Sequence, residues 1–204
     1  MGGFVVTCVD GRHRDAVREI FPILKMAAFQ VQITKEFIPE IVSAEDVHSQ
    51  LKKERKEARM PEFVLVEEKS ESEVLFIRNN SGLDEIEIYN MVVESTKRSE
   101  CIRRIIPVLS IFVLRTENLA RETKKACDKI SAQESFRISL SKRLSSRLSS
   151  EQIITTVAEG IPRKVDLKSP DKVVMVEVLK DICAIGTLRP CPGNFNITRN
   201  PRLQ

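Results

Sequence analysis

Residues 173–179, VVMVEVL, leave a β-strand no polar face. A strand of alternating residues can rest one side on water, but this one must be covered on both. Ile182–Leu188 follows after two residues and can pair with it as a hairpin. The chain must therefore build a layered α/β structure around a central sheet. Its 204 residues allow one large domain or two small ones.

The other segments fill in those layers. Gly3–Val9 is short and β-rich, and Asp10 can cap a helix with Ala16, Val17, Ile20 and Leu24 on one side. Pro22 is expected to end or kink that helix, and Gln30–Thr34 reads as a weak strand. Glu40–Arg59 reads as a polar, exposed helix. Lys52–Arg59 resembles a nuclear-localisation signal only weakly, since Glu54 and Glu57 interrupt it. Glu62–Glu67 and Val74–Arg78 read as two strands joined by a charged turn. This strand–helix–strand–strand order is half of a ferredoxin-like unit. It implies an N-terminal ferredoxin-like module over residues 1–72.

Ser81 begins a capping-box-like start for a helix over Leu83–Lys97. Arg103–Phe112 is apolar with Pro107 inside, so it reads as an edge strand or an interrupted one. Thr116–Ile130 is a helix with Leu119, Ala120, Thr123, Ala126, Cys127 and Ile130 on one stripe. Ser135–Arg143 alternates: Phe136, Ile138 and Leu140 point one way, and Arg137, Ser139, Ser141 and Arg143 point to solvent. Ser149 and Gln152 form a capping box for a helix ending at Gly160. Val165–Leu167 is a short strand, and Ser169-Pro170-Asp171 is turn chemistry. Residues 190–204 read as a loosely ordered tail.

Charge is distributed unevenly. Residues 1–96 hold 12 Lys/Arg and 18 Asp/Glu, whereas residues 97–147 hold 13 and 5. A basic block beside an acidic region points to an anionic partner, most simply nucleic acid. Aromatic residues are few, at 5% of the chain, and Phe63, Phe76, Phe112 and Phe136 fall singly at core-like positions. Binding by backbone charge and shape is therefore expected over base stacking.

Several chemistries lack their residues. The seven glycines include no pair at Walker A spacing and no G-x-G-x-x-G. None has an Arg or Gln three residues before it, as the phosphate-cradling start of an acetyl-CoA site would need. Two histidines, five scattered cysteines and no CxxC make a zinc site unexpected, and Glu177 in its apolar run needs a buried partner. No apolar run reaches the length of a membrane span, so no membrane association is expected. The chain is read as non-enzymatic, with no cofactor and no metal. The expected setting is intracellular, nuclear or nucleolar.

The segments FRISLSKR (136–143), SSEQIITTVAEGI (149–161) and KVDLKSPDKVVMVEVLKDICAIGTL (164–188) resemble the C-terminal part of a THUMP domain. VLFIRN (74–79) and RRIIPVLSIF (103–112) are similar to its beginning, implying a THUMP domain over residues 73–189. FVVTCVDGRHRDAVREIFPIL (4–24) resembles the N-terminal segment of one subfamily, the adaptors for tRNA cytidine acetylation. The resemblance implies a non-catalytic tRNA-binding adaptor. Its partner would be a separate RNA cytidine acetyltransferase that forms acetylcytidine in the D arm of serine and leucine tRNAs. A tRNA-binding subunit of a thiolation or methylation enzyme stays open beside it. Lys142 and Arg143 match the basic pair that follows the same strand in the family. Arg104, Arg137, Arg147, Lys164, Lys168 and Lys172 join them as candidate RNA-binding residues, because charge gathers near the same strands. Asp166 and Pro170 also match the motif and are read as structural.

Overall fold

The computed structural model describes residues 2–36, 62–66, 73–95, 99–144, 146–190 and 195. The helix expected over 40–59 and the turn between the second and third strands fall outside these residues, as does most of the tail.

Among the described residues the chain builds four layers. The first sheet holds β1 (Gly3–Cys8), β2 (Phe63–Leu65), β3 (Val74–Asn79) and β4 (Ile102–Val108), in the order β2-β3-β1-β4. All its neighbours are antiparallel. Helices α1 (His13–Glu36) and α2 (Glu85–Ser95) cover one side, closing a core of Phe4, Val6, Ile20, Leu24, Leu75, Ile77, Ile88 and Ile105. The second sheet, in the order β5-β9-β8-β6-β7, holds β5 (Ser110–Val113), β6 (Ser135–Arg143), β7 (Lys164–Val165), β8 (Lys172–Leu179) and β9 (Ile182–Leu188). β6 runs parallel to β7 and β8, and the other pairs are antiparallel. Helices α3 (Thr116–Cys127) and α4 (Ser150–Glu159) cover its outer side.

The apolar run at 173–179 explains why the two sheets meet. Val174, Val176 and Val178 face α3 and α4, while Val173, Met175 and Leu179 face Val5, Phe76, Ile106 and Val108 of the first sheet. The sheets lie close: a Cβ on Gly186 of β9 would sit 3.0 Å from the Pro107 carbonyl oxygen of β4. Pro107 is tolerated because β4 is an edge strand. The chain changes sheets at Leu109, whose N–H donates to the Ile185 carbonyl at 2.9 Å.

Four expectations are corrected. The ferredoxin-like β-α-β-β-α-β unit is whole and runs to Val108, so a division at residue 72 cuts through the first sheet. Strands β3 and β4 flank β1 because the core of α1 and α2 needs all three. Pro22 does not end α1, and Gln30–Thr34 is helical. Ala16, Ile20, Leu24, Ala27 and Val31 carry one buried stripe through the proline, which sits on the exposed side. There the carbonyl that loses its donor belongs to Arg18, itself an exposed residue. Asp84, not Ser81, caps α2: its Oδ1 accepts from Ile86 N at 2.8 Å and Glu87 N at 3.1 Å. In the tail, Phe195 is buried at the edge of β4: its carbonyl accepts from Ile105 N at 3.3 Å and its ring centroid lies 5.8 Å from that of Tyr89.

The capping box at Ser149 forms as expected, and α4 ends at Gly160. That glycine adopts right-handed geometry, at φ −77°. It is required by close approach instead: a Cβ there would sit 2.6 Å from Thr123 Cγ2 of α3.

Candidate nucleic-acid interface

β6 organises the site. Its alternation puts Phe136, Ile138 and Leu140 into the core under α3 and α4. Arg137, Ser139, Ser141 and Arg143 stand opposite Val173, Met175, Glu177 and Leu179 of β8. They therefore lie on the face toward the first sheet, and all four are half-buried. This corrects the expectation that they point to open solvent. A strand inside a two-sheet stack has a second sheet where a surface strand would have water.

At the C-terminal end of β6 the edge of the first sheet comes close. β4 begins with a bulge: Thr7 pairs with Arg104 and Cys8 with Ile102, leaving Arg103 as the extra residue. The bulge returns Ile102 to the helix-side core, leaves Arg103 exposed and aims Arg104 between the sheets. Arg104 Nη2 lies 3.9 Å from Oε1 of Glu177, which is 4% exposed. Burial pushes the Glu177 carboxyl up, against a hydrogen bond from Ser141 and the charges of Arg104 and Arg143. The buried partner expected for Glu177 is thus supplied by two strands from different sheets.

The neighbouring cations divide their work. Arg143 Nη1 is buried and makes no hydrogen bond. The Arg143 carbonyl accepts from Lys180 N at 3.3 Å, so the β8–β9 turn abuts the strand end. Lys142 Nζ donates to the Leu148 carbonyl at 2.8 Å and holds the segment that leads into α4. Exposed Arg147 places Nε 3.5 Å from Asp181 Oδ1. Arg103, Arg104, Lys142, Arg143, Arg147 and Lys180 thus gather at this end, opposed by Glu177 and Asp181.

The remaining candidates lie elsewhere. Lys164 pairs beside Ser135, and Lys172 beside Phe136, at the start of β6. From Phe136 to Arg143 the strand rises roughly 23 Å, so the eight candidates form two groups and not one patch. Arg137 lies with Lys164 and Lys172 at the start of β6, not with Arg143. Lys172 is held 3.6 Å from Glu134 and is partly buried, which leaves Lys164 and Lys168 as the exposed cations there. Asp166 accepts from the N–H groups of Ser169 and Lys168, both at 2.9 Å, and these bonds hold its carboxyl below the usual range. Asp171 accepts from Ser135 N and Oγ. Both aspartates close turns.

Arg103 and Lys180 were not among the candidates that the sequence suggested. Arg103 carried a signal, since it doubles Arg104 before an apolar run. Lys180 carried none, because its nearness to Arg143 comes from the parallel pairing of β6 with β8.

A two-sheet α/β protein with a cationic strand end where the edge of its first sheet meets the second is the class that this geometry defines. Residues 115–188, from α3 to β9, match the THUMP domain family, so a THUMP domain is present. Over 93% of its length the chain shares its fold with the crystal structure of PH1313 from Pyrococcus horikoshii Ot3, at 19% identity and a TM-score of 0.53, covering 55% of that chain. TrmN from Thermus thermophilus aligns with 95% of this chain and 47% of its own, at 13% identity and a TM-score of 0.49. The THUMP domain of THUMP domain-containing protein 1 aligns over 37% of this chain and 90% of its own, at 23% identity and a TM-score of 0.30. The chain spans about half the length of the first two. No curated protein matches the sequence.

Proposed function

We propose that this chain is a non-catalytic tRNA-binding adaptor that presents tRNA to a separate RNA cytidine acetyltransferase. The observation that carries the tRNA-binding part is a THUMP domain in which six cations, from β4, β6, the segment before α4 and the β8–β9 turn, gather at the C-terminal end of β6. Such a cluster neutralises phosphates and fixes the register of a nucleic acid without reading its sequence. The gain for the partner enzyme would be positioning of its substrate. The acetylation part is supported by the resemblance of residues 4–24 to the adaptors for that reaction.

The test has two arms. Purified chain is expected to bind tRNA, to transfer no acetyl group from acetyl-CoA by itself, and to raise acetylcytidine yield when the acetyltransferase is added. Nucleoside mass spectrometry of tRNA from cells lacking the gene is expected to show loss of acetylcytidine. Unchanged acetylcytidine with loss of another modified nucleoside would replace the partner enzyme and leave the tRNA-binding reading in place. Acetylation by the chain alone would overturn the adaptor role.

A further inference from the structure

Helix α1 is apolar on two opposite sides. Its inner stripe, Ala16, Ile20, Leu24, Ala27 and Val31, is buried against the first sheet. Its outer stripe, Pro22, Met26, Phe29 and Ile33, steps by four, three and four residues, the rhythm of a helix–helix seam. Met26 and Phe29 are each 62% exposed and Ile33 is 40% exposed. A surface helix with one apolar face carries polar residues there. Beside it α2 exposes Ile86 and Val93, seven residues apart. Half of the exposed large hydrophobic residues described in this chain therefore lie on these two helices. Between the helices runs a groove of about 420 Å³ lined by Gln30, Ile33, Thr34, Met91 and Glu94.

The charges around this face are complementary to themselves. α1 exposes Arg14, Arg18, Lys25 and Lys35. α2 and its cap present Asp84, Glu87 and Glu94 there, with no basic residue. Within one copy Lys35 Nζ already meets Glu87 Oε2 at 2.6 Å. A two-fold axis through the face would lay basic α1 of each copy along acidic α2 of the other, twice over. α1 is about 36 Å long and the 11-residue α2 about 16 Å, so at a helix width of about 10 Å the face is roughly 520 Å². That is below the roughly 800 Å² per partner of a standard interface and suits a weak, reversible dimer.

We infer that this face binds a second copy of the chain, the outer stripe of α1 seating in the α1–α2 groove of its partner. The face lies across the first sheet from the cationic end of β6, so pairing leaves that cluster open. The inference does not depend on the proposed function.

Sedimentation equilibrium of the full chain tests it. The wild type is expected to be a reversible dimer in the micromolar range. Phe29→Asp takes one apolar anchor from each copy, each worth at least tenfold, so dimerisation should weaken at least a hundredfold. Its thermal midpoint at concentrations below dimerisation should be unchanged, and it should bind tRNA as the wild type does. Glu94→Lys should also weaken the dimer. A monomeric wild type would overturn the inference, and so would a dimer indifferent to Phe29→Asp. A Phe29→Asp variant that loses thermal stability as a monomer would show that the stripe is covered within its own chain, and would overturn it as well. Failure of the wild type to bind tRNA would count against the proposed function alone.

Discussion

Replacing Glu122 with Gln should cost this protein stability that acid would also remove. Glu122 lies on α3 and is 4% exposed. Its carboxylate accepts from Ser110 Oγ at 2.7 Å and Arg121 Nε at 2.9 Å, with Lys125 Nζ at 2.7 Å. Burial pushes the carboxyl up, but hydrogen bonds from Lys125, Ser110 and Arg121 outweigh it and hold the pKa at about 2 against an ordinary 4.5. At about 1.36 kcal/mol per unit the gap sets a ceiling of about 3.4 kcal/mol. Arg121 and Lys125 are 61% and 55% exposed, and solvent screening reduces this to about 2 kcal/mol. The folded pKa lies below the unfolded one. The contribution is therefore present above the unfolded value and lost as pH falls from about 4.5 toward about 2. Urea unfolding followed by circular dichroism at neutral pH should show the variant about 2 kcal/mol less stable. Near the folded pKa the two proteins should converge. A deficit under about 0.5 kcal/mol at neutral pH, or the same deficit at both, would refute the argument.

Arg147→Glu with Lys180→Glu, both exposed, should weaken tRNA binding at least tenfold and flatten the log–log salt dependence by about 0.7–0.9 for each phosphate no longer neutralised. Lys164→Glu with Lys168→Glu, at the far end of β6, should do less; filter binding across a salt series decides, and equal losses would argue against a site centred on Arg143. Asp84→Ala should cost about 1 kcal/mol by removing the cap of α2, read by thermal melting. Gly160→Ala drives a methyl to 2.6 Å from Thr123 Cγ2 and should cost about 1–3 kcal/mol. Adding Thr123→Ala should recover part of that loss in the same melts.

Local rules reached far into this fold. The capping box at Ser149–Gln152, the hairpin of β8 and β9 and the alternation of β6 depend on residues a few positions apart, and each formed where the sequence placed it. Pro22 and Gln30–Thr34 were misread because the stripe through α1 is satisfied by a sheet built from distant strands, and its burial outweighs a local breaker. The cap of α2 slipped from Ser81 to Asp84 because Ser81 Oγ accepts from Leu83 N at 3.3 Å in a turn through Gly82, at φ +77°, which ends ahead of the helix.

The site divides along the same line. By itself the sequence determined that β6 is a strand carrying cations, that 173–179 is covered on both faces and that Glu177 needs a buried partner. Only the tertiary structure decided what covers them. It set the first sheet against the face of Arg137, Ser139, Ser141 and Arg143, paired Glu177 with Arg104 from a strand of the other sheet, and brought Lys180 beside Arg143. Side-chain periodicity reports which face of a strand is polar. It carries no information on which other sheet that face will meet, because that choice is made by residues far apart in the chain.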